Sequence, residues 1–197
     1  MHQVNRRRQE LLIQSHAAIY AEIGVHRGDS VVEACTVLPA GATVFLFDYH
    51  EAVQLVGARV ASEFPNKHFI IKEYGNSTKT HDNYNWALME LIAQNPEGKL
   101  FDYVYLDGAH ELTTDACATF LVDRLLRVGG HLEFDDYEWS FATSATVNPR
   151  VHPETAVKFP EEQIRTPHIK LVVDHLMKGN NPAYEEVEPN RTFQKIK

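Results

Sequence analysis

Residues 17–30, Ala17-Ala18-Ile19-Tyr20-Ala21-Glu22-Ile23-Gly24-Val25-His26-Arg27-Gly28-Asp29-Ser30, pass from an apolar run through two glycines into a helical pattern. Ala17–Ile23 predicts a buried strand and Asp29–Leu38 the helix that follows it. Glycines four residues apart at such a junction let the backbone approach a ligand closely and present amides at the helix start. A dinucleotide fingerprint uses three glycines, the third so that the helix packs on the strand beneath a pyrophosphate. Only Gly24 and Gly28 are present here. Glu22 opens the loop with an acid, which repels a diphosphate and attracts an ammonium group. Twenty residues beyond Gly28, Asp48 closes the next apolar run, where a carboxylate takes a ribose diol. Asp48 is equally suited to capping the helix ahead of Glu51. The pattern asks for an adenosine-like ligand carrying positive charge rather than phosphate.

Outward from this stretch, Thr43–Phe47, Phe69–Glu73, Phe101–Leu106 and His131–Phe134 predict further strands. Helical patterns at Glu51–Phe64, Lys79–Gln94 and Leu112–Arg127 separate them. Strands alternating with helices build βαβ units and a parallel sheet. Residues 5–15 predict a leading helix on which Arg6-Arg7-Arg8 forms a solvated face. His168–Met177 predicts a last helix. Tyr184–Glu188 and Thr192–Ile196 predict two closing strands, antiparallel across Pro189-Asn190. Residues 137–166 hold Pro149, Pro153 and Pro160 and no sustained period, as in a lid or mobile segment. Tyr137, Trp139 and Phe141 in that segment either line a pocket or pack the loop onto the sheet. The expected fold is α/β, a three-layer α/β/α sandwich around one mostly parallel sheet.

The chain has 197 residues, enough for one domain at about 150 residues each. Its 44% hydrophobic and 23% charged residues lie in the globular range, which excludes disorder or collagen. A net charge of −8 argues against a nucleic-acid partner, whose phosphates need Lys and Arg. No apolar run approaches the roughly 20 residues of a membrane span. Met1–Glu10 is polar throughout, unlike a signal peptide. Cys35 and Cys117 lie in apolar helical stretches and predict reduced core thiols, hence a cytoplasmic protein.

Open sheets of this kind bind ligands outside the carboxyl ends of their strands. The polar residues expected there are Glu22 with Gly24, Asp48, Gly75-Asn76-Ser77, Asp107 and Asp135-Asp136. With the fourth and fifth strands adjacent, Asp107, Asp135 and Asp136 converge, and no Lys or Arg lies within six residues of any of them. Close like charges disfavour ionisation unless a cation intervenes. A divalent metal would offset them, and an all-oxygen set suits a hard ion such as Mg²⁺. The bland readings are a helix cap for Asp107 and a solvated turn for Asp135-Asp136.

Taken together, the motifs resemble the class I S-adenosylmethionine-dependent methyltransferases from about residue 17 to the C-terminus. Glu22, Gly24 and Gly28 match that family's first motif, Asp48 its ribose-binding acid, and Gly75-Asn76-Ser77 its adenine contact. Leu126-Arg127-Val128-Gly129-Gly130-His131-Leu132 resembles its "LLxxGGxL" approach to the fifth strand. The resemblance implies a Rossmann-like seven-stranded sheet ending in an antiparallel hairpin, as a domain of residues 17–197 behind an N-terminal helical segment of residues 1–16. It implies S-adenosyl-L-methionine as cofactor, held by Glu22, Gly24, His26, Gly28, Ser30, Asp48, Tyr49, Asn76, Ser77 and Asp107.

The acidic set is similar to that of metal-dependent O-methyltransferases, both the catechol type and the macrocin or novobiocin sugar type. That similarity implies Asp107, Asp135 and Asp136 as Mg²⁺ ligands. It also implies Asp107 and His110 as catalytic residues, His110 standing where the catechol type has a Lys base. The implied reaction is metal-assisted O-methylation of a hydroxylated small molecule: a sugar, an aromatic diol or a natural-product intermediate. Two other readings stay open, a metal-independent N-methyltransferase and a catalytically inactive Rossmann-like binding protein. An NAD-dependent oxidoreductase fits less well, because the third glycine is missing and Glu22 sits where phosphate would go. The short leading segment leaves the pocket either open or completed by a partner subunit of a homo-oligomer.

Overall fold

The computed structural model of the chain describes residues 3–178 and 181–197, so residues 1 and 2 of the expected leading segment lie outside it. Helix α1 (Gln3–Gln14) leads into β1 (Ile19–Ile23) and α2 (Asp29–Val37). Then follow β2 (Thr43–Tyr49), α3 (His50–Glu63), β3 (Ile70–Asn76), α4 (Tyr84–Gln94), β4 (Phe101–Leu106), α5 (Leu112–Leu125) and β5 (Leu126–Phe134). Short helices α6 (Glu154–Lys158), α7 (Glu161–Arg165) and α8 (His168–Val172) precede the hairpin of β6 (Tyr184–Glu188) and β7 (Thr192–Lys195). The seven strands form one sheet in the order β3-β2-β1-β4-β5-β7-β6. All pairings from β3 to β5 are parallel, and β5–β7 and β6–β7 are antiparallel. This is the expected mostly parallel, seven-stranded architecture.

Period-two alternation along the central strands assigns side chains to the two layers. Phe45, Phe47, Val104 and Leu106 join the cluster under α4, α5 and α8. Val44, Leu46, Tyr103 and Tyr105 join the cluster under α1, α2 and α3. Strands covered on both faces read as continuous apolar runs, which is why β2 and β4 stand out in the sequence. No helix among the described residues is long and apolar enough to cross a membrane.

Five expectations need correction. Helix α4 begins at Tyr84, not Lys79, because Asn83 caps it by accepting the Asn85 amide. Residues 77–82 instead form a loop stitched by Asp82, which accepts the Ser77 amide at 2.7 Å and the Ser77 hydroxyl at 2.6 Å. Strand β5 starts at Leu126 rather than His131, with Gly129 in the left-handed region at φ 84° absorbing an irregularity in the pairing. Cys117 is exposed on the outer face of α5, since Ala118, Leu121, Val122 and Leu125 set the phase of its buried stripe; Cys35 is buried as expected. Arg8 is not solvated: only 3% of it is exposed. Of the expected last helix, His168–Val172 is α-helical and Val173–Met177 continues as a π-turn.

Candidate active site

The carboxyl ends of β1, β2, β3, β4 and β5 meet along one rim of the sheet. Gly24, directly after β1, donates its amide to the Phe47 carbonyl, and Asp107 donates to the Ile23 carbonyl. A Cβ on Gly24 would lie 1.8 Å from the Asp107 carbonyl oxygen, and its φ is 88°, so only glycine lets these two loops touch. Gly28, at φ 78°, has a different role. It caps α2 without a side chain, and a Cβ there would come within 2.7 Å of Val56 on α3.

A cavity of about 750 Å³ opens between these loops, and Gly24, His26, Asp48, Tyr49, Asn76, Asp107 and His110 line it. Asp48 accepts the His26 amide at 2.8 Å and the Tyr49 amide at 2.6 Å. It does not cap α3, whose capping position is Tyr49. Ionised carboxylates have about four lone-pair sites, so two remain for a ligand.

Glu22, Gly28, Ser30 and Ser77 do not line this cavity. Glu22 is fully buried, accepting the Tyr20 hydroxyl at 2.5 Å and the Ser30 hydroxyl. Burial pushes its carboxyl up to about 7, against the opposing pull of the Arg8 charge and the two hydroxyls. Ser77 is occupied with Asp82.

At the other end of the cavity, His110 Nε2 lies 3.0 Å from Asp107 Oδ1 and 3.2 Å from Asp136 Oδ2. Burial alone would lower the imidazole pKa. The hydrogen bond and charge of Asp107, with the charge of Asp136, outweigh it and raise the pKa. Burial holds the Asp136 carboxyl above its usual range despite the neighbouring His110. Both His110 (φ 55°) and Asp136 (φ 53°) adopt left-handed backbone. The Trp139 ring stands 5.0 Å from the His110 ring and 5.1 Å from Phe141. Phe141 is buried in the loop, whereas Tyr137 reaches Asp174 with its hydroxyl.

Asp135 stands apart. Arg191, in the turn before β7, donates to it at 2.9 Å and to Glu133 at 2.7 Å. Glu133 in turn receives Arg8 on both oxygens, at 2.6 and 2.9 Å, and the Arg8 guanidinium stacks 3.6 Å over the Tyr105 ring. Despite its burial, Asp135 is held below the usual carboxylate range, chiefly by Arg191. The three uncompensated carboxylates expected from local sequence are thus two, because a cation arrives from 56 residues further along the chain. Among the described residues, Asp107, His110 and Asp136 are the group whose potential ligand atoms lie within 4.8 Å of one another.

Sequence reasoning missed Arg8 and Arg191, and the cavity-lining Tyr84 and Lys158. The contacts of the two arginines join residues 125 and 58 positions from Glu133, so no local pattern announces them.

A family described as a methyltransferase domain matches residues 21–137. No curated protein matches the sequence significantly. Among solved structures, the chain is similar to the O-methyltransferase TomG of Streptomyces achromogenes, involved in tomaymycin synthesis and bound to SAM. The TM-score is 0.55 and the identity 16%, over 79% of this chain and 66% of that one, just under two thirds of its length. It is similar to an O-methyltransferase from Bacillus cereus in complex with SAH, with TM-score 0.61 and 13% identity over 100% and 82% of the two chains. A third is the SAH-bound methyltransferase PaMTH1 of Podospora anserina, with TM-score 0.60 and 14% identity over 98% and 77%. At these identities the likeness is one of fold.

Proposed function

This chain belongs to the family described as a methyltransferase domain, and on that premise we propose that it transfers the methyl group of S-adenosylmethionine to a hydroxyl oxygen of a small molecule, assisted by a divalent ion. The observation that carries the reading is one cavity of about 750 Å³ with Asp48 at one end and the Asp107–His110 pair at the other. The SAM and SAH named for the TomG and Bacillus cereus structures support the same donor here.

Asp48 takes the ribose hydroxyls of the donor on its free lone pairs. Tyr49 and Asn76 flank the adenine side, and Gly24 leaves room for the chain that carries the sulfonium. Glu22 acts from beneath, orienting the loop through Ser30 rather than touching the donor.

Transfer is an in-line displacement. An electron pair on the acceptor oxygen forms the new O–C bond, and the C–S bond breaks with its pair returning to sulfur, which becomes neutral. Holding oxygen, methyl and sulfur in line is the larger part of the work. His110 takes the hydroxyl proton, a contribution of about 10²–10⁴-fold. Asp107 and Asp136 stabilise the imidazolium that results.

The donor set fits a divalent ion. Among the described residues, Asp107 and Asp136 have no Lys or Arg partner and share only His110. Their two oxygens are the one or two carboxylates by which Mg²⁺ is usually held, its remaining positions going to water and substrate. Such an ion, bound by Asp107 and Asp136, would acidify the acceptor hydroxyl. Asp135, paired with Arg191, takes no part in this set.

Calorimetry with S-adenosylhomocysteine tests the donor assignment. Heat of binding is expected, and its absence at millimolar ligand leaves only a Rossmann-like binding protein of another kind. Turnover that survives EDTA would favour the second reading, metal-independent transfer to nitrogen. The free thiols of Cys35 and Cys117 support a cytoplasmic setting.

A further inference from the structure

His110 occupies left-handed backbone at φ 55°, a strained choice for a side chain with a Cβ that lasts only where the surroundings impose it. The constraint comes from two side chains beneath the loop. The Ala109 amide donates to Tyr84 Oη at 3.0 Å, and the Glu111 amide donates to Asp115 Oδ2 at 3.1 Å. One bond therefore lies on each side of His110. The two acceptors are themselves joined, the Tyr84 hydroxyl donating to Asp115 Oδ1.

Asp115 has no exposed surface, and Tyr84 is 7% exposed. A carboxylate that deep is costly unless its oxygens are satisfied, and here both are. Helix capping explains only part of it: Glu111 accepts the Thr113 and Thr114 amides at the start of α5 and Asp115 answers the Glu111 amide, whereas the Tyr84 hydroxyl and the Ala109 amide that it holds lie outside that cap. Gly108 completes the fit: a Cβ there would lie 2.5 Å from Tyr84 Oη and 2.6 Å from Asp115 Oδ1. The loop is thus pressed against the pair along its whole length.

We propose that Tyr84 and Asp115 are positioning residues for the transfer reaction, fixing residues 108–111 so that the His110 imidazole stands between Asp107 and Asp136. They act through His110 and not on the acceptor. The proposal rests on His110 as the proton-accepting residue, but the place of its ring can be read in the resting protein, without turnover.

Proton NMR provides that reading. The Trp139 ring, 5.0 Å from His110, displaces the His110 ring-proton resonances from those of the other ten of the eleven histidines. His110→Ala identifies them by their loss. Tyr84→Phe keeps the ring that packs the core and removes both the acceptor for Ala109 and the donor to Asp115. Asp115→Asn replaces the shared carboxylate. In both variants the His110 resonances should move back among the other histidines. Resonances that stay in place in a folded variant, whatever its loss of stability, would overturn the proposal and leave the pair a purely structural one.

Hydrogen exchange on the unmodified protein tests the two anchoring bonds, on which the proposal depends, even if both variants unfold. The Ala109 and Glu111 amides should exchange at least about tenfold slower than those of an open loop, and free-loop rates would sink the idea. If methyl transfer instead persists in His110→Ala, the base assignment falls while the positioning result stands.

Discussion

Asp48 keeps free lone pairs although it already accepts two backbone amides, which is what the proposed contact with the donor requires. Asp48→Ala should weaken S-adenosylhomocysteine binding by about 1.5–3 kcal/mol, the range for a hydrogen bond involving a charged group. Calorimetry at constant ionic strength measures it, and an unchanged affinity would remove Asp48 from the site. Asp107→Ala and Asp136→Ala should each abolish transfer without moving the melting temperature by more than a few degrees, because both side chains are partly exposed at the rim. A large stability loss in either would mean that it braces the loop. The acids at the strand ends were legible because they follow apolar runs directly. Asp135 was legible as an acid but not as an occupied one, since its partner Arg191 belongs to a turn with no periodic signal of its own.

Helix α1 shows what element-level reading loses. Its Arg6-Arg7-Arg8 run looks uniformly solvated, yet the Arg6 side chain is 78% exposed and the Arg8 side chain 2%. Leu11 and Leu12 bury one stripe of the helix, and Arg8 lies one turn before Leu12 on that stripe, where Glu133 receives it. Removing one member of a buried pair leaves its partner unpaired, at a cost of about 3–5 kcal/mol. Arg191 and Tyr103 remain on Glu133, so Arg8→Met should fall near the lower end, about 3 kcal/mol by urea denaturation. Arg6→Met should change stability by less than about 0.5 kcal/mol. Equal effects would refute the buried bridge. Strand β4 was legible to the residue because all six of its positions are buried. The limits of β3 were not, because it is an edge strand with mixed exposure and no clear alternation.

At the scale of the whole molecule, one buried acid gives stability a particular pH dependence. The Glu22 carboxyl sits at about 7 in the folded chain against an ordinary 4.5, so the folded state retains a proton that the unfolded state releases. Its contribution is fully present below pH 4.5 and fades as pH rises through 7. Glu22→Gln abolishes this dependence. The stability difference between variant and parent should therefore shift in the variant's favour as pH rises across that window, as read from denaturation midpoints at each pH. A constant difference would show that the acid is ionised throughout.

The chain has two tryptophans, Trp86 largely exposed on α4 and Trp139 against His110. Indole emission depends on nearby charge and on water. With Trp86→Phe removing the background, Trp139 becomes an intrinsic fluorophore for occupancy of the pocket. Its intensity and peak wavelength should change when an acceptor seats beside His110, so candidate acceptors can be ranked by titration before any product is detected. A Trp139 spectrum unmoved by a compound that the enzyme turns over would mean that the acceptor enters from another side.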